Sequence, residues 1–316
     1  DSQDEGVATV SCAGGLRVQF TKEIKRTTVQ GSLLTLKVEG LLGGHSGQDI
    51  DKERQNADLL MARMIQRLLK ETKGQLVSFN GGTKDNAIPR ECEASLIYES
   101  DEEAAKAEEL ACELAETYAE ELTPAEPDFS CEISCETNRT AEAIPQDAAK
   151  EFICAMRLAP NGIQKRNIKM DGFVVVSLNL GVVRTEEDRI VMIFSPRSSV
   201  ASLQEDTKER LNTLAETFGF TVSHSSEYPG WSFKEDSPVR EICKESYKEL
   251  FGEDLKIEAI HAGLECGLFS DAIKGLDAIA IGPTIANCHT PDEYLTLDSF
   301  ERFYEFLKDI LSRLAK

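Results

Sequence analysis

The sequence predicts two architectures in one chain: an antiparallel α+β body over most of its length and an α/β segment at its C-terminal end. Three observations predict it. Apolar runs of period two and amphipathic helical runs follow the order strand, helix, strand, strand, helix, strand over 27–136, and a related pattern continues to 225. After Tyr228-Pro-Gly-Trp231 the chain turns to alternating helix and strand, the mark of a parallel sheet. The first order is that of the split βαβ, or ferredoxin-like, arrangement, in which both helices cover one face of an antiparallel sheet.

Each element has a local reason. The chain opens on Asp1-Ser-Gln-Asp-Glu-Gly6, a strand-like 7–10 and then Gly14-Gly15, and this start in mid-element reads as truncated. Val29, Leu33, Leu34, Leu36 and Val38 predict a strand over 27–39, which leads into Gly43-Gly-His-Ser-Gly47, where glycines allow the close backbone approach a functional loop needs. Ala57, Leu60, Met61, Met64, Ile65 and Leu68 fall at helical spacing over 55–70, the methionines serving as core filling. Strands at 75–80 and 91–98 flank 81–89, where Pro89 bars helix at Ile88. The acidic 101–121 lines up Ala104, Ala107, Leu110, Ala111, Leu114 and Tyr118 on one side of a helix, and 128–136 returns as a strand. A helix at 146–158, strands at 172–183 and 190–194, a helix at 202–218 and a strand at 221–225 extend this body as a second α+β unit. The α/β end is predicted as helix 238–251, strand 255–259, helix 264–272, strand 277–281 and helix 298–314. About ninety residues are too few for a complete doubly wound domain, so its missing strands are expected to precede Asp1.

Composition narrows the function classes. The 316 residues carry 35 Lys+Arg against 56 Asp+Glu, a net charge of −21, which repels phosphate backbones and anionic lipid headgroups and so excludes nucleic acid and membrane as partners. No run approaches the ~18 apolar residues of a membrane span, and the acidic first residues are not those of a secretory signal. The nine cysteines form an odd set without metal-finger spacing, with Cys131 and Cys135 on one face of a strand. They are expected to be reduced, mostly buried small hydrophobes, which places the protein in the cytoplasm.

Only four histidines occur, so each is informative. His289, in Cys288-His-Thr-Pro-Asp-Glu293, suits either a zinc ligand or a hydrogen-bonded loop histidine. His45, flanked by glycines, either aims at a substrate oxygen or is a turn residue. His261 stands at a strand-to-helix junction whose free N–H groups favour an anion, and His224 reads as surface. Arg197, after an apolar strand, offers a planar fork to a carboxylate or else is a solvated rim charge; Asn86 either donates its amide to a substrate or shapes a turn. No Gly-x-Ser-x-Gly elbow and no phosphate loop is present, which excludes those chemistries.

Five motifs, Gly43-Gly-His-Ser-Gly47, Asn80-Gly-Gly-Thr-Lys-Asp-Asn-Ala-Ile-Pro89, Pro196-Arg-Ser198, His261-Ala-Gly-Leu-Glu-Cys-Gly267 and His289-Thr-Pro-Asp-Glu293, carry a resemblance in their order and spacing. Together they resemble the aminoacyl-histidine (Xaa-His) dipeptidases of the M20 metallopeptidase family. The resemblance implies an α/β catalytic domain of the zinc-peptidase type, present in part, with an inserted α+β ferredoxin-like lid: residues 1–14 and 229–316 would be catalytic pieces and 15–228 the lid. It implies two zinc ions, with Asp1 and His289 as ligands. His45 would stabilise the oxyanion, Arg197 would clamp the substrate carboxylate, and Asn86, Gly263 and Glu265 would line the substrate.

The family's first metal-binding histidine, its bridging aspartate and its acidic pair fall upstream of the counterpart of Asp1. The chain by itself is therefore expected to bind zinc poorly and to be inactive alone. The implied activity is hydrolysis of Xaa-His and similar dipeptides by a metal-activated water, with a dipeptide and, in a homodimer, a second copy as partners. The alternatives are another M20 amidohydrolase, an aminoacylase or tripeptidase, and a non-catalytic lid or dimerisation fragment.

Overall fold

The computed structural model describes residues 4–168, 172–287 and 291–315. The chain begins with β1 (Val7–Cys12), β2 (Gly14–Glu23), β3 (Thr27–Glu39) and the two-residue β4 (Gly44–His45). Next come α1 (Ala57–Glu71), β5 (Gln75–Gly81), β6 (Ala87–Ile88), β7 (Cys92–Tyr98), α2 (Asp101–Leu122) and β8 (Ser130–Ala143). They are followed by α3 (Gln146–Leu158), β9 (Gly162–Asn167), β10 (Phe173–Thr185), β11 (Arg189–Ser198), α4 (Ala201–Thr217) and β12 (Thr221–Tyr228). The C-terminal lobe holds α5 (Pro238–Phe251), β13 (Lys256–Ile260), α6 (Glu265–Ala272), β14 (Ile285–Ala286), β15 (Tyr294–Leu295) and α7 (Leu297–Leu314).

Nine strands form one sheet in the order β12-β2-β11-β10-β5-β7-β3-β8, with β9 also paired to β10. Its neighbours run antiparallel. The run β3-α1-β5-β7-α2-β8 contributes the order β8-β3-β7-β5, that is fourth, first, third, second. The order β12-β2-β11-β10 repeats this with α3 and α4 as its helices, because β2 opens a second such run that the first run interrupts. The two halves join where Val183 of β10 pairs with Gly81 of β5. Alternation explains the layer: Leu34, Leu36 and Val38 of β3 face a core shared with α1, α2, α3 and α4, while intervening residues face away.

Two strands longer than two residues escaped the sequence reading. β2 carries alternating Leu16, Val18 and Phe20, all buried, behind its two glycines, and β9 is short and polar. The expected parallel strand at 277–281 is a correction. Gly282 and Pro283 cut it short, and only Ala280 bridges, antiparallel, to Thr9. The parallel pairing in the C-terminal lobe is that of β1 with β13. There α5 and α7 pack through Tyr247, Phe251 and Phe306. Cys12 and Trp231 exchange backbone hydrogen bonds of 3.0 and 2.9 Å, tying together the two places where the chain passes between the large sheet and this lobe.

Helix starts are fixed by side chains. The Asn56 carboxamide accepts from the N–H groups of Asp58 and Leu59, and its Nδ2 donates to Leu180 O at 2.8 Å, which locks α1 to β10. Ser100 and three acidic residues open α2, where carboxylates oppose the helix dipole. Asp58 is unusual. It is fully buried at the join between the halves, against Gly81 and Cys92, while Arg184 donates to Gly81 O at 2.6 Å. Burial pushes its carboxyl from the ordinary 3.8 up to about 8, against the opposing influence of the Cys92 thiol and Arg184. A carboxyl raised on folding supports the fold fully only below its unfolded value, and that support fades as pH climbs toward the folded value. Asp58→Asn should therefore stabilise the protein increasingly from about pH 4 to pH 8. Urea unfolding across that range checks it, and a parallel pair of wild-type and variant curves would contradict it.

Candidate active site

The loop from Leu42 to Gln55 carries the first of the expected site residues, and its two ends are held by one buried carboxylate. Glu126, 2% exposed, accepts from Leu42 N at 2.7 Å and from Gln55 N at 2.9 Å. Inside the loop, β4 pairs with β6, placing His45 opposite Ala87, and Ser46 N donates to Asn86 O at 2.9 Å. Asn179 of β10 donates to Ala87 O at 2.8 Å, so this pair of short strands is anchored to the large sheet.

This scaffold sets the state of His45. Its Nδ1 accepts from the N–H of Gly47 at 3.2 Å and of Gln48 at 3.0 Å, so the ring proton resides on Nε2 and is free to donate. Burial, then the charge of Arg197, lowers its pKa from 6.5, and Asp49 opposes them. The imidazole is thus a neutral donor near pH 7. His45 and Asn86 line a cavity of about 950 Å³ with Tyr228, Gly263, Glu265 and Glu293. Gly47 must lack a side chain, since a Cβ there would strike His261 O.

A row of residues crosses the sheet beside this cavity. Ser177 of β10 stands opposite Arg197 of β11, Arg197 opposite Gly15 of β2, and Gly15 opposite Tyr228 of β12. Arg197 Nη1 donates to the Tyr228 hydroxyl at 2.9 Å. Arg197 is 7% exposed, its Nε finds no hydrogen-bond partner, and it makes no ion pair among the described residues. At the other end of the row, Ser177 Oγ and His261 Nε2 lie 2.7 Å apart, a buried contact between sheet and C-terminal lobe. Burial, then Arg197, drives the His261 pKa from 6.5 to about 3, so this imidazole is neutral.

The structure brings His45, Asn86, Gly263 and Glu265 to one cavity wall. Arg197 does not line that wall itself but reaches Tyr228, which does. Asp1 and His289, the expected metal ligands, lie outside the described residues. Among the described residues no three His, Cys, Asp or Glu converge to hold a metal, so these residues alone do not make a zinc centre. His224 is exposed and bonds Asn212 at 2.9 Å, as a surface residue would. The eight described cysteines are free, and Cys131 and Cys135 share the face packed on the core.

Residues 36–313 match the peptidase family M20/M25/M40. The chain belongs to that family. It is 32% identical over 320 residues to the cytosol non-specific dipeptidase of Escherichia coli strain K12, covering 99% of this chain and 65% of that protein. It superposes on the crystal structure of aminoacylhistidine dipeptidase from Vibrio alginolyticus with a TM-score of 0.93 and 33% identity, covering 99% of this chain and 64% of the other. This M20 chain thus spans about two thirds of the length of these relatives. Tyr228, Glu126, Asn179 and Asp49 were missed in the sequence. Only Tyr228, beside Pro229 and Gly230, sat in a segment that marked a change of architecture.

Replacing Glu126 by Ala removes the shared acceptor of two part-buried N–H groups, a loss of about 0.5–1.5 kcal/mol for each bond. Hydrogen exchange across 42–55 should then speed up by tenfold or more. Unchanged protection there would show that the carboxylate does not hold the loop.

Proposed function

We propose that this chain forms the substrate-holding part of a zinc-dependent dipeptidase that hydrolyses Xaa-His and similar dipeptides in the cytoplasm. Residues 15–228 act as a ferredoxin-like lid over a catalytic domain to which 1–14 and 229–316 contribute. The observation that carries this reading is a cavity lined by a neutral His45 with a free Nε2–H, beside a buried Arg197 that lacks an acidic partner among the described residues. A guanidinium taken out of water calls for an anion, and the terminal carboxylate of a short peptide bound in this cavity is such an anion.

His45 donates Nε2–H to the oxygen of that carbonyl. The oxygen gains charge only as the carbon becomes tetrahedral, so this donation acts on the transition state. Arg197 holds the substrate equally well before and during reaction, which selects chain length: a longer peptide leaves the guanidinium unpaired. Asn86 and Gly263 shape the wall, and Glu265 supplies a carboxylate for the ammonium end. Two zinc ions are the cofactor in this proposal, with Asp1 and His289 among the ligands and the remaining ligands and general base outside this sequence. The name of the Escherichia coli relative supports the cytoplasmic assignment. No described helix is long and apolar enough to cross a membrane. A homodimer stays within the proposal and is read by sedimentation.

The test is hydrolysis of dipeptides, tripeptides and N-acyl amino acids by the complete gene product with added zinc. Dipeptides should be preferred; preference for either other class would move the assignment to a tripeptidase or an aminoacylase. His45→Ala should lower kcat about 10²–10³-fold with little change in KM. Arg197→Ala should mainly raise KM, by tenfold or more. Normal kcat in the first variant, or normal KM in the second, would remove the role given to that residue.

A further inference from the structure

We propose that the Tyr228 hydroxyl is a second donor to the substrate's terminal carboxylate, forming with Arg197 a two-residue seat that sets the preference for a free C-terminus. This inference rests on the dipeptidase reading and extends it to a residue that the sequence motifs do not contain. The phenol oxygen already accepts from Arg197 Nη1 at 2.9 Å, so its own hydrogen is free to be donated. Tyr228 lines the cavity with His45, Asn86 and Gly263, whereas Arg197 does not. A carboxylate arriving from the cavity therefore meets the phenol and, behind it, the cation that strengthens the phenol as a donor.

The backbone is arranged to put this side chain there. Ser225 stands opposite Arg17, yet Tyr228 stands opposite Gly15, so β12 carries one extra residue between these pairs. That bulge lies at Ser226, whose φ of 53° is in the left-handed region. An unbroken ladder would set Glu227 opposite Gly15 and bring a carboxylate to Arg197, satisfying the guanidinium from within. With the bulge, Glu227 reaches Lys208 instead, at 3.4 Å. Glycines then hold the ring: a Cβ on Gly15 would fall 2.7 Å from the Tyr228 hydroxyl, and one on Gly263 would fall 2.8 Å from its Cε2. The row gives Arg197 a neutral neighbour and leaves its charge for the ligand.

Calorimetric titration of the complete gene product, stripped of metal so that ligand is bound but not hydrolysed, with alanyl-histidine and with alanyl-histidine amide tests the seat, because only the first ligand carries the carboxylate. The wild type should prefer the acid, and Tyr228→Phe should reduce the acid-to-amide affinity ratio about tenfold. Gly15→Ala keeps the phenol but pushes it out of line, and should reduce the ratio in the same direction. In an Arg197→Ala background Tyr228→Phe should add clearly less, since the two act on one group. Circular dichroism and thermal unfolding establish that each variant is folded. A folded Tyr228→Phe that keeps the ratio, or weakens acid and amide equally, overturns the proposal. A wild type that binds neither ligand, or both alike, instead overturns the dipeptidase reading of Arg197.

Discussion

The register of four antiparallel strands is the constraint on which the candidate site depends. Ser177, Arg197, Gly15 and Tyr228 come from distant parts of the sequence, yet backbone pairing sets them side by side on one face. Neighbouring side chains in such a row are about 5 Å apart, close enough for direct hydrogen bonds. A slip of one residue in any strand would turn its member to the opposite face. The row therefore couples three things that would otherwise be independent: the contact of the sheet with His261, the orientation of the buried cation, and the wall of the cavity.

The loop bearing His45 works differently. Its own regular structure is a two-residue strand and one 3-10 turn at Ile50–Lys52, so its placement is set by polar groups from elsewhere: Glu126 at both ends and Asn179 through Ala87. Each bond is modest on its own, about 0.5–1.5 kcal/mol net, but the buried partners make every omission costly. The result is a histidine whose tautomer is fixed by backbone donors rather than by a carboxylate. Such an imidazole is suited to donating at Nε2 and poorly suited to gathering protons, since its other nitrogen is already occupied.

The join between the two halves of the large sheet carries a local cost that the rest of the core offsets. Asp58 is fully buried there with only the Cys92 thiol against it, beside glycine backbone whose carbonyl takes an arginine. Apolar packing on both sides is extensive, with Phe79 against Phe152 and Phe20 against Phe194. Burial of such rings is worth about 1.5–3 kcal/mol each, enough to tolerate one carboxyl kept neutral.

Much of the fold was legible in the sequence because helices and strands write their periods locally. The strand over 27–39 and the helices at 146–158 and 238–251 fall where the pattern puts them, and the motif residues His45, Asn86, Gly263 and Glu265 line one cavity. What failed were features with no local signature: β2, whose partners lie far along the chain, and the run at 277–281, whose apolar pattern ends before a ladder can form. The sequence by itself determined the period of each element, the acidic surface and the family motifs, since these depend only on neighbours in the chain. Tertiary structure alone decided that β2 belongs to the second half of the sheet, that a bulge brings Tyr228 rather than Glu227 to Arg197, and that Glu126 closes the loop of His45. Those outcomes depend on register and burial between segments tens to hundreds of residues apart, and no periodicity within one segment encodes them.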